Sequence, residues 1–251
     1  MTGPLVLVTG AASGIGAAAV ERFVADGARV LAFDRDAIAA RDGVVALQGD
    51  VTQQADVDRL MATARELCGL RAVVNAAGVV AADDPEDVTD ATWDRMLAVN
   101  LSGTMRVCRG AIPVLRTVGG GAIVNVASVA AFNSTPGSAS YAPAKAGVVA
   151  YTRSIAYAHG VHGIRANCLC PGWTRTAMAE AEMQQAAALA GTTIEQEFAA
   201  IAARLALRRL AQPAEMAACI RFLAGDEASF VTGAVLVADG GGRIAAGARG
   251  I

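Results

Sequence analysis

Tyr141 and Lys145 lie four residues apart in the segment SASYAPAKAGV, and Lys145 is the only lysine among 251 residues. On a helix, side chains at this spacing lie about one turn apart on the same face. A tyrosine ionises near pH 10, but a cation ~4–6 Å away favours the phenolate and lowers that pKa. We therefore predict that Lys145 lowers the pKa of Tyr141 and so suits its hydroxyl group to transfer a proton to or from a substrate.

The presence of a single lysine also fits a general preference for arginine, because all the other positive side chains of the chain are arginines. Arginine carries a larger, forked and permanently charged group, so it does not replace an ammonium where a compact cation is needed. Ser140 as a helix N-cap and Pro143 in the first turn favour a helix that begins at this point. The pair is therefore predicted to lie on one helix face.

The composition limits the classes of function. The net charge is -2 and no basic cluster is present, which argues against nucleic acid as a main partner. Hydrophobic residues make up 54% of the chain, yet no apolar run approaches the ~18 residues of a membrane span. The opening MTGPLVLVTG lacks the basic region of a signal peptide, so a cytoplasmic location is expected. The five cysteines, His159 and His162 match no metal-ligand spacing, so no metal is expected.

Short apolar segments alternate with helical patterns along the chain. Near-continuous apolar strands are typical of a parallel sheet covered on both faces. The alternation predicts an α/β fold, a doubly wound parallel sheet of about seven strands with helices on both faces, in a single domain over residues 1–251. The predicted strands are 4–8, 28–33, 44–47, 72–75, 122–127, 164–169 and 234–238. The predicted helices include Ala17–Ala25, Gln54–Leu67, Trp93–Leu115 and Ala142–Ala158.

The turn after the first strand, TGAASGIG, places Gly10, Gly14 and Gly16 just before a helix. Glycine lets the backbone approach a pyrophosphate closely, and a helix N-terminus favours its negative charge. Glycine is also common in such turns for steric reasons alone. Asp34 ends the second strand, where a carboxylate accepts hydrogen bonds from an adenosine ribose, although a solvated loop aspartate has the same appearance. Together, in one βαβ unit, these residues predict dinucleotide binding.

Asp34 also predicts which dinucleotide is bound. NADP carries a phosphate at the ribose 2′-position, and a carboxylate beside that position repels it. Arg35, the next residue, would soften this repulsion by pairing with the phosphate. We predict that NAD and NADH are preferred over the NADP forms.

The motifs, taken as an ordered set, resemble the short-chain dehydrogenase/reductase family. They are TGAASGIG, NAAG at 75–78, Asn100 in AVNLSGT, Ser128, Tyr141-Ala-Pro-Ala-Lys145, and Pro171-Gly172. The resemblance covers nearly the whole chain and implies a Rossmann-like domain that binds NAD(P). It also implies hydride transfer between this cofactor and a secondary alcohol or ketone, which we expect to be small and largely apolar, and a homo-oligomer, either a tetramer or a dimer.

The same resemblance assigns the site residues. Ser128 would stabilise charge on the substrate oxygen, Lys145 would also contact the nicotinamide ribose, and Asn100 would hold a water that links Lys145 to solvent. Arg71 departs from the family pattern, which often has aspartate before the fourth strand. The implied cofactor-binding residues are Gly10, Ser13, Gly14, Ile15, Gly16, Asp34, Asp50, Val51, Asn75, Gly78, Tyr141, Lys145, Pro171, Gly172, Thr174 and Thr176.

Two other functions remain open on the sequence. One is an enzyme similar to 3-oxoacyl-carrier-protein reductases, and the other is a dinucleotide-binding protein that has lost catalysis. The presence of Ser128, Tyr141 and Lys145 argues against the second. The predicted walls of the substrate pocket are 130–138, Trp173 and 177–207, which are mostly apolar, with Asn133 and Ser138 as polar groups.

Residues 177–207 are predicted to form two helices that cover the site. Gly191 and Thr192 interrupt the helical pattern, Thr193 is a good N-cap, and Gln196 completes a capping-box spacing. We predict a lid that cofactor and substrate bring into order. The alternative is an ordinary pair of surface helices.

Overall fold

The computed structural model describes residues 3–135 and 137–242, within which seven parallel strands form one sheet. The strand order is β3-β2-β1-β4-β5-β6-β7, so the chain starts mid-sheet and winds outward in both directions. The predicted doubly wound α/β fold is thereby confirmed. The strands are β1 (Leu5–Thr9), β2 (Arg29–Asp34), β3 (Val44–Gln48), β4 (Leu70–Asn75), β5 (Gly121–Val126), β6 (Ile164–Pro171) and β7 (Val235–Ala238).

Helices cover both faces of this sheet. They are α1 (Gly14–Ala25), α2 (Gln54–Leu67), α3 (Asp90–Met96), α4 (Thr104–Thr117), α5 (Tyr141–His159), α6 (Ala177–Ala190), α7 (Ile194–Ala202) and α8 (Pro213–Ala224). Helices α1 and α8 pack on one face, and α2, α4 and α5 pack on the other. None of the helices in the described ranges is long and apolar enough to cross a membrane.

Strand β1 shows why the strands are continuous apolar runs in the sequence. Leu5 and Leu7 face the layer of α2, α4 and α5, whereas Val6 and Val8 face α1 and α8. All four side chains are at most 4% exposed. Burying each such side chain stabilises the fold by roughly 1.5–3 kcal/mol. Both faces of the strand therefore require apolar residues, and polar groups are confined to the strand ends.

The structure does not have the single continuous α-helix predicted over Trp93–Leu115. Between α3 and α4, residues Leu97–Gly103 form a π-helical segment with Asn100 at its centre. A π-helical segment changes the helix register but leaves the apolar spacing almost intact, so the pattern of 3.6 residues per turn does not reveal it. The segment turns the Asn100 side chain toward the loop that follows β4.

The predicted break within residues 177–207 is confirmed. Gly191 ends α6 with a φ of +68°, a left-handed conformation that favours glycine. Thr193 accepts a hydrogen bond from the backbone N–H of Gln196, and the Gln196 side chain accepts one from the backbone N–H of Thr193. This capping box starts α7, which ends at Ala202, five residues before the end of the predicted segment.

Candidate active site

The candidate site is a cleft of about 450 Å³ at the carboxyl ends of the parallel strands. Ligands of open α/β sheets bind at this edge, where the direction of winding reverses. The side chains of Asn75 and Asn100 are not part of its lining. The predicted site residues that line it are Gly10, Ser13, Gly14, Ile15, Gly16, Asp34, Asp50, Val51, Gly78, Ser128, Tyr141, Lys145, Pro171, Gly172, Thr174 and Thr176.

The turn after β1 forms one end of this cleft. Gly10 has a φ of +67°, and a Cβ atom on Gly16 would lie 1.9 Å from the Gly10 carbonyl oxygen. Side chains are therefore excluded from both positions. Helix α1 begins at Gly14, so its first backbone N–H groups have no carbonyl partner inside the helix. The turn thus presents free N–H groups and the positive end of a helix, which fits the pyrophosphate of a dinucleotide.

Asp34, at the end of β2, holds this turn in place. Its Oδ2 accepts a hydrogen bond from the Ala12 N–H at 2.9 Å, and its Oδ1 accepts one from the Asp36 N–H at 3.0 Å. Each carboxylate oxygen can accept a further bond. Asp34 is therefore fixed at the cleft and can bind hydroxyl groups such as those of a ribose, as the sequence predicts for a dinucleotide site.

Asn75 and Gly78 are three residues apart in the sequence but contact different parts of the structure. Gly78 lines the cleft, and a Cβ atom there would lie 2.9 Å from Asn100 Oδ1. The Asn75 Nδ2 instead donates to Asn125 Oδ1 at 2.8 Å and to Cys108 Sγ at 3.2 Å. Alternation along β4 turns the Asn75 side chain toward α4 and away from the cleft. The structure therefore does not bring this predicted cofactor-binding side chain to the cleft.

Lys145 lies on the first turns of α5, on the face that also carries Tyr141. It is 4% exposed, and its Nζ donates to the Val126 carbonyl oxygen at 2.9 Å. Burial lowers the Lys145 pKa to about 8. The Nζ lies 5.6 Å from the centre of the Tyr141 ring. The predicted pairing of a phenol and an amine on one helix face is confirmed.

The pKa of Tyr141 shifts in the opposite direction from the one that the sequence predicts. Burial raises this pKa to about 12, a hydrogen bond with Ser128 lowers it, and the charge of Glu182 raises it further. The positive charge of Lys145 does not outweigh this burial, and burial also disfavours that charge itself. Burial therefore outweighs the Lys145 charge in setting the Tyr141 pKa, and the lowering of this pKa by Lys145 together with an oxidised nicotinamide stays a prediction. The phenol is protonated at neutral pH.

Ser128 follows β5 and starts the short 3₁₀ helix Val129–Ala131. Its Oγ accepts a hydrogen bond from the Ala130 N–H at 3.1 Å. Its side chain interacts with that of Tyr141, and both residues line the cleft. A hydroxyl that accepts from the backbone keeps its own hydrogen to donate. Ser128 and Tyr141 together can therefore bind a single oxygen atom of a ligand.

Asn100 lies beneath the cleft and is fully buried. Its Oδ1 accepts from the Val79 N–H at 3.1 Å, and its Nδ2 donates to the carbonyl oxygens of Val79 at 3.0 Å and Met96 at 3.1 Å. The side chain thus connects the π-helical segment to the loop after β4. Its polar atoms are engaged with the backbone, and the role of Asn100 in a proton relay stays a prediction.

Sequence reasoning misses Asp83, which holds the start of α5. Its Oδ1 accepts from the Ser140 N–H at 3.2 Å, and its Oδ2 accepts from the Ser140 hydroxyl. Ser140 therefore does not cap α5 through its side chain as predicted. Asp83 places a carboxylate at the positive end of α5, next to Tyr141. The two partners lie 57 positions apart, so no local pattern reveals the contact.

The cleft lining also includes Glu182, which lies within the predicted wall 177–207 but is not singled out there as a polar group. It lies one turn after Met178 on α6, and this helical spacing is the signal that places both on one face. Ser138, predicted as a free polar group, is engaged: its Oγ donates to the Thr135 carbonyl oxygen and accepts from the Thr135 N–H, both at 3.0 Å. The lining here includes Asn133, Trp173, Met178 and Glu182.

Comparisons with known proteins extend over almost the whole chain. Residues 10–242 match a family model described as enoyl-(acyl carrier protein) reductase. The chain is 38% identical over 248 residues to cis-4-hydroxycyclohexanecarboxylate dehydrogenase of Sinomonas cyclohexanicum, covering 94% of this chain and 95% of that protein. It is 35% identical over 247 residues to meso-2,3-butanediol dehydrogenase of Serratia marcescens, covering 94% and 93%. The ligand-free structure of Thermoplasma acidophilum aldohexose dehydrogenase has a TM-score of 0.92 at 30% identity, covering 99% and 97%.

We predict that Lys145 titrates near pH 8 in the folded protein, because burial disfavours its charged form. Since the chain has no other lysine, ¹⁵N-lysine labelling gives one side-chain signal whose chemical shift measures this pKa by NMR. In concentrated urea the same signal should titrate near the ordinary value of 10.5. A folded-state midpoint above pH 10 would contradict the prediction.

The same shift has a consequence for stability. Between about pH 8 and pH 10.5 the unfolded chain retains the Lys145 proton, whereas the folded chain has released it. The unfolded state then binds more protons, so the contribution of Lys145 makes the free energy of unfolding rise with pH across this window. Below about pH 8 both states are protonated, and this contribution no longer changes with pH.

Proposed function

The chain belongs to the short-chain dehydrogenase/reductase family, and we propose that it transfers a hydride between NAD(H) and a small, mainly apolar secondary alcohol or ketone. The family uses a nicotinamide dinucleotide and acts on CH–OH groups. One observation supports the proposal most directly: Ser128, Tyr141 and Lys145 line the same cleft as the glycine turn. A substrate oxygen bound by Ser128 and Tyr141 would therefore lie in the same cleft as the bound dinucleotide.

The chain's own residues would handle the oxygen and its proton. When bound, the dinucleotide supplies the hydride donor or acceptor. Tyr141, protonated at neutral pH, would donate its proton to a carbonyl oxygen during reduction. Ser128 would donate a hydrogen bond to that oxygen and stabilise the developing negative charge. Alcohol oxidation requires the phenolate, and the charge on Lys145, present below about pH 8, favours that form.

The cofactor would lie along the carboxyl edge of the sheet. The turn from Gly10 to Gly16 would bind the pyrophosphate, and Asp34 would bind the adenosine ribose. Arg35 is engaged in part, since its Nε lies 3.9 Å from Asp36 Oδ1. This exposed pair is weak, so the proposed preference for NAD rests on the charge of Asp34. The remaining proposed contacts are Ser13 and Ile15 in the turn, Asp50 and Val51 at the adenine, Gly78 after the fourth strand, and Pro171, Gly172, Thr174 and Thr176 near the nicotinamide.

A relative favours one second candidate, since the chain is 32% identical over 252 residues to a 3-oxoacyl-[acyl-carrier-protein] reductase of Thermotoga maritima, covering 96% of this chain and 98% of that protein. Such an enzyme would reduce a 3-oxoacyl thioester far better than a free ketone. Comparing the two substrates with NADH and NADPH separates this candidate from the proposed one. A protein that binds the dinucleotide and turns over neither substrate would be a silent binding protein.

We predict that Tyr141→Phe lowers kcat by ~100-fold or more, because the proton donor is lost while the ring still packs. The dissociation constant for NAD should change little, and calorimetric titration checks this. Tyr157→Phe is the matched control, since Tyr157 lies on the same helix but is 93% exposed. It should keep full activity. A Tyr141→Phe variant with most of its activity would overturn the proposed chemistry.

NADP is predicted to bind roughly 100-fold more weakly than NAD, because like charges ~4–5 Å apart at an effective dielectric constant near ~20 repel by on the order of 3 kcal/mol. Asp34→Asn removes the charge but keeps an oxygen for the Ala12 N–H, so the ratio of the two dissociation constants should fall below roughly 10. Asp42→Asn, an exposed position outside the cleft, makes the same charge change and should leave the ratio unaltered. Equal or tighter NADP binding by the unaltered chain would refute the NAD preference.

Helices α6 and α7 are proposed to form a lid over the site. They pack on each other through Met183 and Phe198, in a cluster separate from the two main cores. Arg175 joins them, because its guanidinium lies 4.7 Å from the centre of the Phe198 ring and pairs with Glu195. A unit with its own small core can move while the sheet stays rigid.

The lid predicts a local change in hydrogen exchange. Backbone N–H groups in residues 177–202 should exchange more slowly once NAD and substrate are both bound, because closure reduces local opening. Helix α8, which packs in the main core, should show equal protection in both states. Strong and equal protection of residues 177–202 with and without ligands would leave α6 and α7 as ordinary surface helices.

A further inference from the structure

Glu182 lies where a substrate would meet the reacting residues. It shares the cleft with Ser128 and Tyr141, and it is half-buried on α6. Met178 and Glu182 are one turn apart, so α6 presents an apolar side chain and a carboxylate side by side to the cleft. The N-cap of α6 fixes this face, because Thr176 Oγ1 accepts from the Ala179 N–H at 3.2 Å.

The Glu182 carboxylate has no protein partner within residues 3–135 and 137–242. By contrast, Glu180 on α6 and Glu195 on α7 both form ion pairs with Arg175. Burial alone raises the Glu182 pKa, and no hydrogen bond or positive charge offsets it. A partly desolvated carboxylate without a partner is unfavourable for the fold. An unpaired group of this kind at the reacting end of a cleft points to a partner on the ligand.

The negative charge of Glu182 also bears on the reaction. It is close enough to raise the pKa of Tyr141, so it also opposes negative charge on an oxygen bound by Tyr141 and Ser128. A donor group on the substrate, placed between that oxygen and the carboxylate, would remove this repulsion. A substrate with a carboxylate in the same place would increase it.

We propose that Glu182 is a specificity-determining residue that selects substrates with a hydrogen-bond donor, a hydroxyl or an ammonium, next to the reacting carbinol. The body of such a substrate would pack on the apolar lining from Trp173 and Met178. A site that is built to bind a donor rejects the analogue without it, because the buried acceptor is then left unpaired. This assignment rests on the proposed function and narrows its substrate class.

A matched series of alcohols tests the assignment. 2-Butanol, 1,2-butanediol, 1-amino-2-butanol and 2-hydroxybutyrate carry the same secondary carbinol and differ in the neighbouring group. With NAD, the unaltered protein should show a kcat/KM for the diol and the amino alcohol ~10-fold or more above that for 2-butanol. The kcat/KM for 2-hydroxybutyrate should be the lowest. The diol and the amino alcohol distinguish a hydroxyl partner from an ammonium partner.

Substitutions of Glu182 test whether its carboxylate causes these substrate preferences. Glu182→Gln keeps an acceptor but removes the charge, so the ratio of amino alcohol to 2-butanol should fall ~10-fold while the diol keeps part of its advantage. Glu182→Leu should abolish both preferences. Glu180→Gln is the matched control, because Glu180 lies on the same helix, pairs with Arg175 and does not line the cleft. It should leave every ratio unchanged.

Two outcomes separate this assignment from the proposed function. Oxidation of 2-butanol as efficient as that of the diol and the amino alcohol, or ratios unchanged in Glu182→Leu, would overturn the role of Glu182 and leave the proposed function standing. Failure of the unaltered protein to reduce NAD or NADP with any of the four alcohols would contradict the proposed function, and the role of Glu182 would fall with it.

Discussion

The buried ammonium of Lys145 is the constraint on which the geometry of the site depends. Removing this charge from water is unfavourable, and its hydrogen bond to the Val126 carbonyl offsets part of the cost. That bond joins the first turns of α5 to the end of β5. Tyr141 lies one turn before Lys145, and Ser128 lies two residues after Val126, so one contact brings both hydroxyl groups to the same place.

Much of the fold and of the cofactor end of the site follows from local patterns in the sequence. Strands such as β1 are apolar at every position because both faces are covered, and this leaves a signal that needs no tertiary knowledge. The glycines of the first turn and the spacing of Tyr141 and Lys145 are likewise local requirements of backbone approach and helix geometry. These features could be predicted because each depends on neighbours in the chain.

The remaining features depend on contacts between distant segments. The π-helical segment Leu97–Gly103 is distinguished by its backbone hydrogen bonds, which the apolar spacing of the sequence does not reveal, and its Asn100 contacts Val79 in a distant loop. The bond between Asp83 and Ser140 joins separate loops. The burial that raises the Tyr141 pKa is not visible in the sequence, because spacing gives the distance between charges but not their burial. Desolvation is a property of the folded chain, and here it outweighs the nearby ammonium.

The contrast between lysine and arginine explains why one lysine remains in this chain. Arg29 donates to the carbonyl oxygens of Gly3, Leu67 and Cys68 at 2.8–3.0 Å, so one guanidinium satisfies three backbone groups. Arginine suits such sites because its five donors are spread over a rigid fork. Lys145 needs the opposite properties: a compact charge, one backbone anchor, and a pKa that burial can bring near neutrality. A guanidinium at position 145 would stay charged at every relevant pH, and its larger, forked group would have to fit in the buried space that the Lys145 ammonium occupies beside Gly78. The single lysine therefore stands where a compact cation with one backbone anchor is needed.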